Sequence, residues 1–363
     1  MHRVGNLWEE VCSIENLRKA HINASHDKSK YREVIMVQNN LNHYLYLIRE
    51  MLINKTFTTS DYQVFYKREK YKVRKLYKLP YFPDRIVQWA LLQVIMPIID
   101  KQFTIDTYSA IKGRGPAIIA EDINSIMATD PESFHYALKI DIKHYYQSIN
   151  HEELKKDYRR LIKDPDALWL IDDFIDSVST ADEEDLKRLN TDEPTGIPIG
   201  NYFSQPSGNL YLSKFDHWIK EQHKVSIYYR YMDDIVIGSD SKEFLHNLLP
   251  EIKEYLWINR KLKMKSNWQI INVYKEGLDF IGYRFFPEYT KLRKSIANNI
   301  KKQADEISEK DFITYHNFCS INSFYGFLKL CNSYRFGSKY LNPINHKLSV
   351  YLERERKQHE AIQ

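Results

Sequence analysis

Three cysteines, Cys12, Cys319 and Cys331, are the only thiols in 363 residues. Their spacing matches no metal-binding pattern, and an odd number closes no disulfide framework. The chain is therefore expected in a reducing compartment, the cytoplasm. Long apolar runs are missing as well. No stretch approaches the roughly 18–20 residues of a membrane span, and Met1 to Glu10 has no apolar signal region. There is no internal repeat and no low-complexity linker. Asn23-Ala24-Ser25 and Asn54-Lys55-Thr56 resemble glycosylation sites but carry no meaning without secretion. These absences exclude a secreted disulfide scaffold, a helical membrane protein and a repeat array.

What is present is core material and an uneven charge. The chain is 43% hydrophobic and 14% aromatic, with 27 tyrosines. This excludes wholesale disorder and supplies core for about two to three domain-sized units. The net charge is a modest +5. Between Lys67 and Lys78 lie seven bases and one acid, interleaved with Tyr71, Val73 and Tyr77. From Asp164 to Glu193 there are eleven acids and two bases, and from Lys291 onward thirteen bases and seven acids. Basic stripes threaded with aromatics are the footprint of a polyanion-binding surface, although a solvated face has the same composition.

Apolar residues at three- and four-residue steps, such as Leu41, Tyr44, Leu45, Ile48 and Leu52, predict helices over residues 1–53. Alternation from Phe57 to Lys78 predicts two strands joined by a basic turn, Lys67-Arg68-Glu69-Lys70. Asp84 suits the cap of the next helix, whose apolar face runs through Ile86, Val87, Ala90, Leu91, Val94 and Ile95. The basic loop Lys112 to Pro116 precedes an amphipathic helix through Ile119, Ile123 and Met127. Tyr136 to Ile142 alternates as a strand, with Ala137, Lys139 and Asp141 on one face. The acidic stretch reads as a surface helix without assigned chemistry. Gly196 to Pro206 is a loop entering a helix, with Ser204 as N-cap and Pro206 in the first turn. A helix over 242–259, an alternating Leu262 to Lys265, a hairpin-like Leu278 to Phe285 and a basic helical tail complete the chain.

Tyr228-Tyr229-Arg230-Tyr231-Met232-Asp233-Asp234-Ile235-Val236-Ile237 sets two adjacent acids between two strand-forming runs. Asp-Asp is poor strand material and is expected in the joining turn. Paired carboxylates repel unless a cation lies between them, so the pair suggests a hard divalent ion such as Mg²⁺. A solvated turn is the bland alternative. Asp141, at the end of another strand, also requires a partner or a metal. Two-metal phosphoryl transfer uses carboxylates converging from separate strands in this way.

Tyr231-Met232-Asp233-Asp234 resembles the catalytic box of reverse transcriptases, and further blocks follow that family's order. They are the basic strands around Lys72 and Arg74, Pro83 to Gln88, Lys139 to Lys143, Gly196 to Asn201, Lys263-Met264-Lys265, and Phe280 to Tyr283. The resemblance covers about residues 55–290. Group II intron reverse transcriptases carry Gln-Gly followed by Ser-Pro where this chain has Ile199-Gly200 and Ser204-Gln205. The departure is similar to reverse transcriptases of diversity-generating retroelements, as are Ser323 to Lys329 and Asn332-Ser333-Tyr334.

The resemblance implies an α+β right-hand polymerase. Residues 1–54 would be a helical extension, 55–290 the fingers and an antiparallel palm, and 291–363 a short helical thumb. It implies RNA-directed DNA synthesis with two Mg²⁺ ions, for which Mn²⁺ could substitute. Asp141, Asp233 and Asp234 would be the catalytic acids and, with the Ile142 carbonyl, the metal ligands. Lys72, Arg74, Ile142, Tyr146, Ile199 and Gly200 would surround the incoming nucleotide. Tyr146 would exclude a 2′-hydroxyl, unless it is simply a core aromatic. Lys263 and Lys265 would contact backbone phosphates, or merely be solvated. Gly282 and Tyr283 would support the primer end, or be plain hairpin packing. An aliphatic Ile199 offers no hydrogen bond, which implies error-prone copying of template adenines, unless Ile199 merely packs. Implied partners are a template-repeat RNA, an RNA–DNA duplex, deoxynucleoside triphosphates and a small basic accessory variability protein. The biological outcome would be diversification of a protein-coding gene. A group II intron-like or defence-associated reverse transcriptase is the alternative within the class, and a non-catalytic RNA-binding protein the alternative outside it.

Overall fold

A computed structural model describes residues 3–69 and 72–360. Its strands are β1 (Gln63–Glu69), β2 (Lys72–Lys78), β3 (Thr107–Tyr108), β4 (Tyr136–Asp141), β5 (Ile227–Tyr231), β6 (Asp234–Ser239), β7 (Gln269–Asn272), β8 (Leu278–Phe280), β9 (Tyr283–Phe285) and β10 (Thr290–Leu292). They form a two-stranded β1-β2 ribbon, a five-stranded sheet of order β3-β5-β6-β4-β7, and a three-stranded sheet of order β10-β9-β8. β1–β2, β4–β7, β8–β9 and β9–β10 pair antiparallel, and β3 with β5 makes a two-residue parallel edge. A two-residue strand is too short to leave a period in the sequence.

The chain divides into two compact units. The first comprises Met1–Lys112, Ile140–Ile235 and Asn247–Trp268, and the second Gly113–Lys139, Val236–His246 and Gln269–Gln363. In the first unit, helices Trp8–Cys12, Ile14–Ser25, Arg32–Asn39 and Leu41–Ile53 fill the region where apolar periodicity predicts them. The interior of helix Ile86–Ile99 is apolar nearly all round, and Ile86, Val87, Ala90, Leu91, Leu92 and Ile95 are each at most 1% exposed. A helix without a polar stripe belongs inside a core. In the second unit, helices between Lys294 and Glu360 close around Ile300, Ala304, Ile307, Ile321, Phe324, Leu341 and Ile344.

Several local expectations are corrected. Asp84 does not cap a helix: it is buried within the turn Tyr81–Arg85, where its carboxylate accepts from Ser60 N at 2.9 Å and Ser60 Oγ at 2.8 Å. Ser204 is the first helical residue, not the cap. Phe203 holds the N-cap position without a side-chain cap bond, and Asn201 Oδ1 accepts from Phe203 N at 3.2 Å in the turn before it. Lys67, Arg68 and Glu69 extend β1 rather than turning; Lys70 and Tyr71 lie outside the described residues. Leu262 to Lys265 is no strand, although Met264 bridges Ile142.

The acidic stretch is two helices, Pro165–Asp176 and Glu183–Leu189. The first buries Leu170, Ile171, Phe174 and Ile175. Its carboxylates act as acceptors for backbone that has no regular partner. Asp164 takes the N–H groups of Leu7 and Ala167 at 2.6 and 3.0 Å, and Asp173 takes Thr59 N at 3.0 Å.

Candidate active site

Asp141, Tyr146, Asp233 and Asp234 lie in the first unit, and Gly282 and Tyr283 in the second. β5 ends at Tyr231, Met232 and Asp233 form the turn, and Asp234 opens β6. The expected Asp-Asp turn is therefore displaced by one residue. Met232 has φ of 57°, a conformation a non-glycine side chain disfavours by about 1–2 kcal/mol. Something must hold it. Arg230, fully buried in β5, grips Asp216 with Nε and Nη2 at 2.7 and 2.6 Å, and donates from Nη1 to the Met232 carbonyl at 3.2 Å. Asn209 Oδ1 accepts from the same Nη1 at 3.1 Å, while Tyr228 Oη and Thr107 Oγ1 donate to Asp216 at 2.6 and 2.9 Å. A charge inside an apolar strand was the visible signal for this brace, since a buried guanidinium needs a carboxylate and further acceptors.

β4 and β6 are neighbours in the sheet, which brings the end of one to the turn before the other. Ile142 N approaches the Asp233 carbonyl at 3.4 Å. On its other side, Lys143 N donates to Lys263 O and Lys265 N to Asp141 O, each at 2.8 Å. These bonds explain why Lys263 to Lys265 alternates without being a strand: it is a single bridge to the Asp141 corner. Lys265 Nζ bonds Asp141 Oδ2 directly. Lys263 Nζ donates to the Arg188 carbonyl and lies 4.5 Å from the centre of the Trp257 ring.

Three carboxylates thus meet electrostatically. The Asp233 carboxyl is pushed up from 3.8 to about 6, first by burial and then by the charges of Asp141 and Asp234, with Lys265 opposing. Asp141 Oδ1 is buried and, among the described residues, has no hydrogen-bond partner. A buried carboxylate oxygen left bare is costly. An orphaned oxygen beside two further carboxylates is a donor set that fits a hard divalent cation. Among the described residues no three His, Cys, Asp or Glu side chains form a ready-made metal cage. Mg²⁺ in phosphoryl-transfer sites is characteristically held by one or two carboxylates plus substrate phosphates, so an incomplete protein cage suits it.

Tyr146 is half-buried next to these acids. Among the described residues its hydroxyl donates to Met232 Sδ alone, at 3.6 Å, and burial with the Asp233 charge raises its pKa. Ile197 N donates to the Tyr146 carbonyl at 2.9 Å, which ties the loop 196–203 to the same corner. Two residues further on, the Ile199 carbonyl accepts Tyr77 N at 2.9 Å. Gly200 has φ of 104°, and a Cβ there would stand 3.0 Å from the Tyr77 carbonyl, so glycine is what allows the loop to lie on β2. Ile199 is half-buried rather than a core residue. Arg74 is exposed on β2, while the side chain of Lys72 lies outside the described residues. Gly282 and Tyr283 belong to the second unit. Gly282 makes the β8–β9 turn with φ of 96°, and Tyr283 Oη donates to the Phe327 carbonyl at 3.2 Å.

A mixed sheet presenting acids from a strand end and an adjacent hairpin is the arrangement of a nucleic-acid polymerase palm. Residues 66–285 match the family of reverse transcriptases (RNA-dependent DNA polymerases), and the chain belongs to that family. It is 23% identical over 283 residues to protein YkfC of Escherichia coli (strain K12), a match covering 69% of this chain and 73% of YkfC. Among solved structures it is similar to telomerase from Candida albicans in complex with a TWJ fragment of telomeric RNA. There the TM-score is 0.49 at 10% identity, over 81% of this chain and 55% of that one. Apo telomerase from Candida tropicalis gives 0.49 at 12% identity, over 81% and 57%. The chain therefore spans a little over half the length of those telomerases.

Proposed function

We propose that this chain is an RNA-directed DNA polymerase whose reaction centre is Asp141, Asp233 and Asp234. The observation that carries the reading is the convergence of the β4 end on the Met232–Asp233 turn, with Asp141 Oδ1 lacking a partner among the described residues and the Asp233 carboxyl raised by burial and by the neighbouring acids. Asp141, Asp233, Asp234 and the Ile142 carbonyl would hold two Mg²⁺ ions, or Mn²⁺ in their place. Bound there, the ions would lower the pKa of the primer hydroxyl and stabilise the departing pyrophosphate. The chain's own residues supply position. Tyr146, beside the acids, would lie under the incoming sugar, and its ring would crowd a 2′-hydroxyl. Lys72 and Arg74, on the strand beneath Gly200, would hold the triphosphate. Lys265 neutralises Asp141, and Gly282 with Tyr283 would support the primer end.

The test is extension of a DNA primer on an RNA template with deoxynucleoside triphosphates and Mg²⁺. Asp233→Ala should lose about 10³-fold or more in rate, the scale on which an electrostatic group at a reacting centre counts. Equal extension by both proteins would remove the acids from the chemistry.

The subtype reading is a diversity-generating retroelement enzyme. It would copy a template-repeat RNA, err at template adenines and work with a small basic accessory protein in a reducing cytoplasm. Ile199-Gly200 with Ser204-Gln205 supports it over the group II intron-like or defence-associated alternative. Ile199 is half-buried on the loop that joins Tyr146 to β2, a placement suited to influencing base pairing. Restoring a polar side chain with Ile199→Gln should lower misincorporation opposite template adenines by about 5–100-fold, the worth of a contact of ~1–3 kcal/mol. Sequenced cDNA with an unchanged error spectrum would favour the alternative.

A further inference from the structure

The acidic stretch is the strong sequence feature that polymerase chemistry leaves unused, and its second helix reaches the catalytic loop. Asp185, 3% exposed, takes His144 Nδ1 at 2.6 Å. Arg188, one turn later, donates from Nη2 to Asp185 Oδ1 at 2.8 Å and to Ser148 Oγ at 2.9 Å. The Ser148 hydroxyl faces the carbonyls of Lys143 and His144 at 3.0 and 2.8 Å. Lys263 Nζ donates to the Arg188 carbonyl, and Lys263 O accepts Lys143 N at 2.8 Å. The circuit is closed: Lys143, Lys263, Arg188, Asp185 and His144, back to Lys143.

The circuit encloses the short turn between Asp141 and Tyr146. His144 has φ of 48° and ψ of 51°, a left-handed conformation uncommon for a non-glycine residue. Its imidazole is half-exposed, so packing alone does not fix it. Among the described residues the Tyr146 hydroxyl has one hydrogen bond, the 3.6 Å contact to Met232 Sδ, and its ring packs edge-on against Tyr145 of the same turn at 5.6 Å between centres. The placement of its ring therefore depends on the turn 142–146, which carries both Tyr146 and the Tyr145 ring it packs against. Steric exclusion of one hydroxyl needs that ring placed to within about 0.5 Å.

We propose that Asp185 and Arg188 are positioning residues for the incoming nucleotide: through His144 and Ser148 they lock the 142–146 turn, and so set how strictly Tyr146 separates deoxynucleotides from ribonucleotides. The proposal rests on the polymerase reading above. It assigns the acidic helix Glu183–Leu189 to substrate selection rather than to solvation.

The test is single-nucleotide incorporation on a primed RNA template, with a deoxynucleotide or the matching ribonucleotide, alongside thermal melting. Asp185→Ala should raise KM for the deoxynucleotide about tenfold with a smaller change in kcat, and lower the deoxy-to-ribo preference about tenfold. Asp185→Asn keeps an oxygen acceptor for His144 Nδ1–H and should recover most of both. His144→Gly suits the left-handed backbone, so it should keep the melting temperature while showing the same loss of preference. The idea is overturned if wild type extends the primer and both Asp185→Ala and His144→Gly retain its KM and preference. It is also overturned if Asp185→Ala melts early while His144→Gly selects normally, because the helix is then only a structural support. No extension by wild type would instead strike the polymerase reading, and this inference with it.

Discussion

Removing the charge of Asp233 should change how stability follows pH. Its carboxyl is raised from 3.8 to about 6, so between those values the folded protein holds a proton that the unfolded chain has released. Stability on this residue's account is therefore greatest below about pH 4 and falls as pH rises through 6. Asp233→Asn removes that slope. Denaturant unfolding in EDTA at pH 4 and pH 7 should show the variant gaining on wild type at the higher pH; a constant difference would mean that Asp233 is not raised. Arg230 makes the opposite case, a buried cation whose guanidinium is fully engaged by Asp216, Asn209 and the Met232 carbonyl. Arg230→Met leaves Asp216 buried and unpaired and should cost about 3–5 kcal/mol in unfolding free energy. It also frees the Met232 turn, so primer extension should fall even at temperatures where the variant remains folded.

At the scale of elements, the β8–β9 turn depends on one atom. Gly282 has φ of 96°, and a Cβ there would lie 2.8 Å from Ile296 Cδ1. Gly282→Ala should destabilise by about 1–3 kcal/mol, read as a lower melting temperature. Elements of this kind were largely legible in the sequence. Helices with a clean apolar stripe, the β5–β6 hairpin and the β4 strand all follow from period and composition. What was not legible is what depends on partners far away in the chain. Asp84 looks like a cap until Ser60 arrives to claim its carboxylate. Ser204 looks like a cap, yet it is the first helical residue, and among the described residues no side chain caps that helix. Lys263 and Lys265 read as phosphate contacts or solvated side chains; that one also reaches the Arg188 carbonyl and the other Asp141 could not be read from the sequence. Of the site, the acids carry their own signature. The supporting set, Arg230, Asp216, His144 and Asp185, consists of charges whose meaning is set entirely by tertiary neighbours.

For the whole molecule, charge is the property that should govern nucleic-acid binding. The net charge is only +5, but bases are concentrated in β1–β2 and in the tail from Lys291. Affinity for an RNA–DNA duplex should fall about 10³-fold or more between 50 and 200 mM salt if six or more phosphates are neutralised. A flat response in a filter-binding titration would remove the basic segments from the interface. Neither compact unit is a continuous stretch of chain, because each is assembled from three segments. The first unit is not complete until the segment ending at Trp268 is available. On a ribosome adding ~5–20 residues per second, the earliest helices wait more than about ten seconds for their last partners. Such late, long-range closure slows folding and leaves apolar faces uncovered during synthesis. Yield in cells should therefore depend on chaperone supply more steeply than the finished protein's stability suggests.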